Sequence, residues 1–113
     1  MLEDYARVIG QRQVVVAERE GAIVGVLVLT VSDEGFLLDN VAVDPSCQGV
    51  GIGKALLKLA EAEARRQGHG SVYLYMHERM VENQALYSKL GYVEFARRTE
   101  KGYARVYMRK ALT

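Results

Sequence analysis

The chain has 113 residues, of which 50% are hydrophobic and 26% charged, and its formal net charge is +1 at pH 7. This length predicts a single domain over residues 1–113 with one core. The near-neutral charge argues against nucleic acid or a membrane surface as partner, and no apolar run approaches the roughly 20 residues that span a bilayer. Met1-Leu2-Glu3-Asp4 does not resemble a signal peptide, and the lone Cys47 permits no internal disulfide or metal cluster. We therefore expect a cytoplasmic protein without a metal.

The hydrophobic pattern predicts alternating strands and helices. Glu20-Gly21 separates two valine-rich runs and predicts a hairpin, while Asp44-Pro45-Ser46 ends the third strand. The best-supported element is a helix at 53–67, whose apolar residues recur at helical spacing on one face. In chain order we predict a short helix at 2–9, strands at 13–18, 22–31 and 36–43, the helix at 53–67, a strand at 71–76, a helix at 82–90, and strands at 92–98 and 103–110.

These elements predict an α/β (α+β) fold built on one mixed sheet. A helix that joins the strands at 36–43 and 71–76 favours a parallel pair between them. The hairpins toward both ends of the chain require antiparallel pairing. We therefore expect a mostly antiparallel sheet with a central parallel pair flanked by helices.

The most informative segment is the glycine-rich run Gln48-Gly49-Val50-Gly51-Ile52-Gly53-Lys54. Its bare N–H groups and the positive end of the following helix dipole are typical of a phosphate site. It is not a P-loop, because three residues rather than four separate Gly49 from Gly53, and Ala55 stands where Ser or Thr would bind magnesium. It is not a dinucleotide fingerprint, because Lys54 replaces the third glycine. The alternative is a tight connection that binds nothing.

Two motifs in this order resemble the GNAT N-acetyltransferase superfamily. The first is formed by Gln48, Gly51 and Gly53, after a strand that ends in Val43-Asp44-Pro45. The second is an Asn, an Ala, a Tyr and then Gly with an aromatic residue, supplied by Asn83, Ala85, Tyr87 and Gly91-Tyr92. The resemblance covers residues 14–112.

The chain is N-terminally shortened relative to the family pattern, in which a strand and one or two helices precede the equivalent of Gln13. That region commonly shapes the acceptor side of the family's cleft. We therefore expect acceptor binding to depart from the family pattern, and we expect a homodimer in which a second subunit helps to complete the site.

The resemblance implies acetyl-CoA as the acetyl donor and gives roles to the matching residues. Its pyrophosphate would be held by the backbone amides of Gln48, Gly49, Val50, Gly51, Ile52, Gly53 and Lys54. Its pantetheine arm would pair with the backbone of Val41, Ala42 and Val43. The Val43 N–H is a candidate donor to the thioester carbonyl. Tyr87, one helical turn from Asn83, would protonate the departing thiolate; a tyrosine with a satisfied hydroxyl is the alternative.

Attack by an amine also needs a base, because an amine with a pKa near ~10.4 is protonated at neutral pH. The candidates are Asp39, near the start of the cofactor strand, and His77 or Glu78, just after the strand at 71–76. The alternative for each is a surface charge or, for His77, a loop histidine. Cys47 has no obvious base nearby and is interpreted as a packing residue.

We therefore predict an acetyl-CoA-dependent N-acetyltransferase that acts by direct attack of a primary amine, on a small molecule or a peptide of unknown identity. The alternative is a non-catalytic CoA-binding or interaction module with a truncated acceptor site. A weaker alternative is a nucleic-acid binder, suggested by six tyrosines beyond residue 70 with arginines among them. Tyrosines at the edge of a small core explain the same pattern.

Overall fold

The structure is a computed structural model that describes residues 3–9, 12–47 and 51–112. In these ranges the elements are β1 (Glu3–Ile9), β2 (Arg12–Arg19), β3 (Ala22–Ser32), β4 (Gly35–Val43), a 3-10 turn (Pro45–Cys47), α1 (Ile52–Arg66), β5 (Ser71–His77), α2 (Val81–Lys89), β6 (Val93–Glu100) and β7 (Tyr103–Ala111). None of the helices in these ranges is long and apolar enough to cross a membrane. The same ranges hold no group of three or more His, Cys, Asp or Glu side chains placed to bind a metal ion.

The strands form one sheet in the order β1-β2-β3-β4-β5-β7-β6. β4 and β5 run parallel, because α1 connects them and carries the chain back to the end of the sheet at which β4 begins. The other neighbouring strands are antiparallel. The predicted mixed sheet with a central parallel pair is thus confirmed.

The helix predicted at 2–9 is wrong. Residues 3–9 form β1, which pairs with β2 from Glu3↔Glu18 to Ile9↔Arg12. So short a segment is marginal as an isolated helix, whereas the outer edge of β2 offers a row of backbone groups that need partners. Pairing with that edge therefore overrides the local helical pattern.

α1 packs against one face of the sheet, called here the helix face. Its buried side chains recur as one helical stripe: Ile52, Leu56, Ala60 and Ala64. Gly25 of β3 permits the close approach, because a Cβ there would lie 3.0 Å from Leu56 Cδ1 and 3.1 Å from Ile52 Cγ2. α2 shares this face, where Tyr87 and Leu90 pack against the same core as α1.

The opposite face, called here the open face, has no helix packed on it among the described residues. Leu37, Tyr73 and Tyr107 are nevertheless buried there, with Tyr75 and Phe95 beside them. Arginine side chains cover these rings through cation–π contacts. The guanidinium carbons lie 4.4 Å (Arg98 to Tyr107), 4.6 Å (Arg105 to Tyr75) and 4.1 Å (Arg109 to Phe95) from the ring centroids.

β4 and β5 pair over only the first part of their length. Their register pairs are Phe36↔Val72 and Leu37↔Tyr73, with no further pairing between the two described strands. A bulge at Asp39 breaks the register between β4 and β3 just past the last pair, and bulges bend the strand that carries them. Residues 38–43 and 74–77 therefore border a gap in the ladder, called here the fork.

Gly25→Ala tests the close contact between α1 and β3. The added methyl group would press on Leu56 and Ile52, so we expect the free energy of unfolding to fall by about 1–3 kcal/mol and the melting temperature by about 5 °C or more. Gly70→Ala is the matched control, because a Cβ at Gly70 meets no atom within 4 Å. Equal melting temperatures of the two variants in thermal denaturation would contradict this contact.

Candidate active site

A cleft of about 600 Å³ lies on the helix face beside the fork. Its walls are the end of β4, the first turns of α1, and one side of α2. Among the residues predicted for the site, those that line it are Val41, Val43, Gly51, Ile52, Gly53, Lys54, Asn83 and Tyr87. Gln48, Gly49 and Val50 lie outside the described residues. The structure thus brings two motifs that are far apart in the sequence to one place.

The backbone of β4 presents its free side to the fork. Asp44 donates its N–H to the carbonyl of Val24 in β3, over 2.8 Å. Successive N–H groups of a strand point to opposite sides, so the N–H and C=O of Val43 point away from β3 and into the fork. The same alternation turns the Ala42 N–H toward β3, and Ala42 does not line the cleft. By the same rule Val41 also points away from β3, so Val41 and Val43 present free backbone donors there.

The N-terminus of α1 forms the second wall. Gly51 adopts a left-handed conformation (φ 83°) that only glycine takes at little cost, and no side chain caps the helix. The first intrahelical bond runs from the Ala55 N–H to the Gly51 carbonyl, over 3.0 Å. The N–H groups of Ile52, Gly53 and Lys54 precede it and have no acceptor within the helix. These donors and the positive end of the helix dipole make this end of the cleft suited to an anion.

Tyr87 and Asn83 stand one turn apart on α2, as their spacing predicts, and both line the cleft. Asn83 is exposed and Tyr87 half-buried. Within the described residues the Tyr87 hydroxyl makes no hydrogen bond, and burial raises the pKa of this hydroxyl above its usual value. Tyr87 is therefore a protonated, unengaged donor at neutral pH.

The Tyr87 ring is held by Tyr92, which sequence reasoning noted only as part of a motif. The two ring centroids lie 5.4 Å apart at an interplanar angle of 74°, an edge-to-face contact. Tyr92 is 2% exposed, and its hydroxyl has no hydrogen-bond partner among the described residues. Burial is the main cause that raises the pKa of Tyr92, with smaller contributions from Glu61 and Tyr87.

The remaining cleft residues escaped sequence reasoning as site residues: Cys47, Leu57, Leu86 and Leu90. They form an apolar wall between α1 and α2. Helical spacing could have found Leu86 and Leu90, which lie next to Tyr87 on one side of α2. No residue of α2 is fully buried, and Leu86 is 51% exposed. Cys47 packs against the core, as predicted, and lines the cleft as well.

The three candidate bases do not line the cleft. Asp39 forms an ion pair with Arg12 at 3.2 Å. Glu78 is exposed, and its backbone donates to the Ala104 carbonyl and accepts from the Gln84 side chain at 3.0 and 2.9 Å. His77 accepts the Arg79 N–H at Nδ1, over 3.1 Å, which leaves Nε2 as its second polar atom. None of the three candidates therefore faces the cleft directly.

A comparison with family models decides the classification. Residues 10–94 match the Acetyltransferase (GNAT) domain. The chain belongs to the GNAT acetyltransferase family. The predicted superfamily is thereby confirmed, and with it the acetyltransferase class. Over 53 residues the GNAT chain is also 38% identical to Serotonin N-acetyltransferase 2, chloroplastic, of Oryza sativa subsp. japonica. That match covers 47% of this chain and 25% of the rice protein, so the chain spans about a quarter of that curated relative.

Solved structures agree with the GNAT fold. A GNAT family acetyltransferase from Elizabethkingia anophelis, solved with acetyl-CoA bound, superposes with a TM-score of 0.85 over 98% of both chains at 17% identity. IAA acetyltransferase from Bacillus cereus ATCC 14579 superposes with a TM-score of 0.76 at 26% identity, over 90% of this chain and 79% of that one. The first likeness concerns the fold alone.

Tyr92→Phe tests the unpartnered hydroxyl. Above about pH 10 the unfolded chain loses this proton while the folded protein keeps it, so the Tyr92 hydroxyl makes stability fall as the pH rises. We expect Tyr92→Phe to be as stable as the wild type at pH 7 and more stable at about pH 11, measured by denaturant unfolding. Tyr103→Phe, whose ring is 59% exposed, is the control. An equal loss of stability between about pH 7 and about pH 11 in the wild type and in Tyr92→Phe would contradict the raised pKa of the Tyr92 hydroxyl.

Proposed function

We propose that this GNAT domain transfers the acetyl group of acetyl-CoA to a primary amine by direct attack of the amine on the thioester. One observation carries the proposal: the free backbone side of Val43, the uncapped N-terminus of α1 and the Tyr87 side chain line the same cleft. These are three kinds of group that acyl transfer from a phosphorylated thioester requires.

The cleft has the chemistry to hold acetyl-CoA. The N–H groups of Ile52, Gly53 and Lys54 suit its pyrophosphate, and the Lys54 side chain adds positive charge there. The unpaired backbone of β4 at Val41 and Val43 suits the amides of the pantetheine arm, which would add to the sheet as a short strand does. The apolar wall between α1 and α2 suits the methylene groups of that arm. Gln48, Gly49 and Val50 are proposed to contribute further amides.

Bound acetyl-CoA supplies an activated acyl group: as the C–N bond forms, the C–S bond breaks, its electron pair leaves on sulfur, and the nitrogen gives up a proton. The Val43 N–H would stabilise the negative charge that develops on the carbonyl oxygen. Tyr87 would give its hydroxyl proton to the departing sulfur. Burial holds the pKa of Tyr87 above its usual value, so the hydroxyl is protonated at neutral pH and has a proton to give.

The amine must lose a proton before it attacks. Asp39 is already paired with Arg12, and Glu78 and His77 lie at the end of β5, so we propose that a water relays the proton to one of these groups. We propose no covalent intermediate on the protein. Among the described residues, the Cys47 thiol has a hydrogen bond only with the Ser46 hydroxyl, at 3.7 Å, and that hydroxyl is not a base.

The remote position of these bases also favours a second candidate, a CoA-binding module without turnover. Calorimetric titration with acetyl-CoA followed by a transfer assay against a panel of primary amines separates the two. Binding near one to one with acetylation supports the enzyme, and binding without acetylation supports the module. The named relatives differ in what their names say they act on, serotonin in one and IAA in another, so the panel must be broad.

Tyr87→Phe tests the proposed general acid. We expect turnover to fall by about a hundredfold or more, with the KM for acetyl-CoA changed by less than about threefold, because the hydroxyl acts on the leaving group rather than in binding. Tyr92→Phe is the matched control, since it removes a neighbouring hydroxyl but keeps the ring that supports Tyr87. Unchanged turnover in Tyr87→Phe would remove Tyr87 from this role.

Gly53→Ala separates binding from folding. A Cβ at Gly53 would meet only Val43 Cγ2, at an ordinary 3.5 Å, but Gly53 also lines the cleft. Alanine favours a helix over glycine by up to about 1 kcal/mol, so we expect the melting temperature to stay or rise. We expect acetyl-CoA to bind about tenfold more weakly or worse in calorimetry, because the methyl group occupies ligand space. Gly70→Ala should change neither quantity, and undiminished affinity in Gly53→Ala would refute the proposed pyrophosphate position.

A further inference from the structure

A recess of about 180 Å³ lies on the open face at the ends of β5 and β7, away from the cleft. It is called here the open-face recess, and its lining residues are Tyr75, Met76, His77, Tyr103 and Arg105. The register pairs Tyr75↔Tyr107 and His77↔Arg105 put the side chains of Tyr75, His77 and Arg105 on the face that carries the buried tyrosine cluster. An engineered cavity of about 150 Å³ holds benzene, so the recess accepts a group about the size of one ring.

The open-face recess and the cleft lie at the same level on opposite faces of the sheet. Tyr75 and His77 are two and four residues beyond Tyr73, the last β5 residue paired with β4. At about 3.3 Å per residue they stand ~7–13 Å along the fork. Val41 follows Leu37 by four residues, one of them in the bulge, so it stands at a similar height. With no ladder across the fork, a group on the open face can meet a group held in the cleft.

At this recess Arg105 makes one long ion pair among the described residues. Its guanidinium lies 4.6 Å from the Tyr75 ring centroid, and its side chain is 28% exposed. Its ion-pair partner, Glu100, lies 4.0 Å away and also accepts a hydrogen bond from the Tyr107 hydroxyl. Arg98, by contrast, pairs with Glu34 at 2.6 Å. A guanidinium carries five N–H donors, and the contacts of Arg105 with Glu100 and the Tyr107 hydroxyl leave some of them available to an anionic group.

We propose that the open-face recess binds the acceptor amine and that Arg105 selects acceptors that carry a carboxylate beside a ring-sized apolar group. The proposal rests on the proposed acetyl transfer, because it names the second substrate of that reaction. Tyr75 and Tyr103 provide the flat walls, and Arg105 binds the carboxylate. The positive charge of Arg105 also disfavours the ammonium form of the acceptor, which helps to release the attacking nitrogen.

Four amines separate the effect of the carboxylate from that of the ring: phenylalanine, 2-phenylethylamine, alanine and ethylamine. We expect kcat/KM for phenylalanine to exceed that for each of the others by about tenfold or more, because a site that pairs a charged group discriminates strongly against its absence. Arg105→Gln should abolish the preference for the carboxylate while leaving acetyl-CoA binding unchanged. Arg105→Lys, which keeps the positive charge, should retain part of the preference for the carboxylate.

Arg109→Gln is the matched control. Arg109 lies on the same strand and face and also covers an aromatic ring, that of Phe95, but it pairs in register with Tyr73 at the closed end of the fork. It should keep the wild-type preference. Thermal melts of all variants show whether each one folds.

A second measurement does not depend on turnover. Phenylalanine and 2-phenylethylamine are titrated calorimetrically into protein saturated with CoA, for wild type, Arg105→Gln and Arg109→Gln. Tighter binding of phenylalanine that is lost only in Arg105→Gln supports the recess, even if no amine is acetylated, in which case the proposed transfer alone fails. Acetylation with no dependence on the carboxylate, equal effects of the two substitutions, or no binding of either amine overturns the assignment of Arg105.

Discussion

The hydrogen-bond ladder between β4 and β5 stops after two register pairs, and the geometry of the proposed site depends on that interruption. Buried backbone groups ordinarily find partners, so an unpaired stretch inside a sheet is uncommon. The bulge at Asp39 breaks the register of β4, and Gly25 lets α1 seat closely enough to hold the strands around the gap. What the chain leaves unpaired at Val43 is a backbone edge that a ligand with amide groups can complete.

The two faces of the sheet are closed by different means. On the helix face, α1 buries a stripe of small and aliphatic side chains, and apolar packing dominates. On the open face, arginine side chains cover aromatic rings, which shields the rings while it leaves a positively charged surface. That surface is electrostatically uneven, because the ion pair of Arg98 with Glu34 is short, 2.6 Å, and that of Arg105 with Glu100 is long, 4.0 Å. This difference between the two ion pairs occurs where the fork opens.

Local sequence patterns predicted the helices and strands with strong periodicity and the side chains that lie together on a single element. The stripe of α1 and the common side of Asn83 and Tyr87 follow from residue spacing, and the parallel pair follows from the helix that joins its two strands. β1 was not predictable in this way, because a neighbouring strand edge decided its conformation. The fork and the ion pair of Asp39 with Arg12 depend on register between distant strands. The register between distant strands leaves no pattern in the local sequence, so these two features became visible only in the three-dimensional structure.

The weak anchoring of α2 has a consequence for how the site assembles. The helix has no fully buried residue, it is nine residues long, and Val81 and Leu86 are more than half exposed. A helix this short is marginal without tertiary support. The pantetheine arm of a ligand in the cleft would cover Leu86 and add packing contacts that α2 does not make with the rest of the chain. Ordering of this helix and occupation of the cleft would then be linked equilibria, so a donor substrate bound as proposed would help to hold Tyr87 in place.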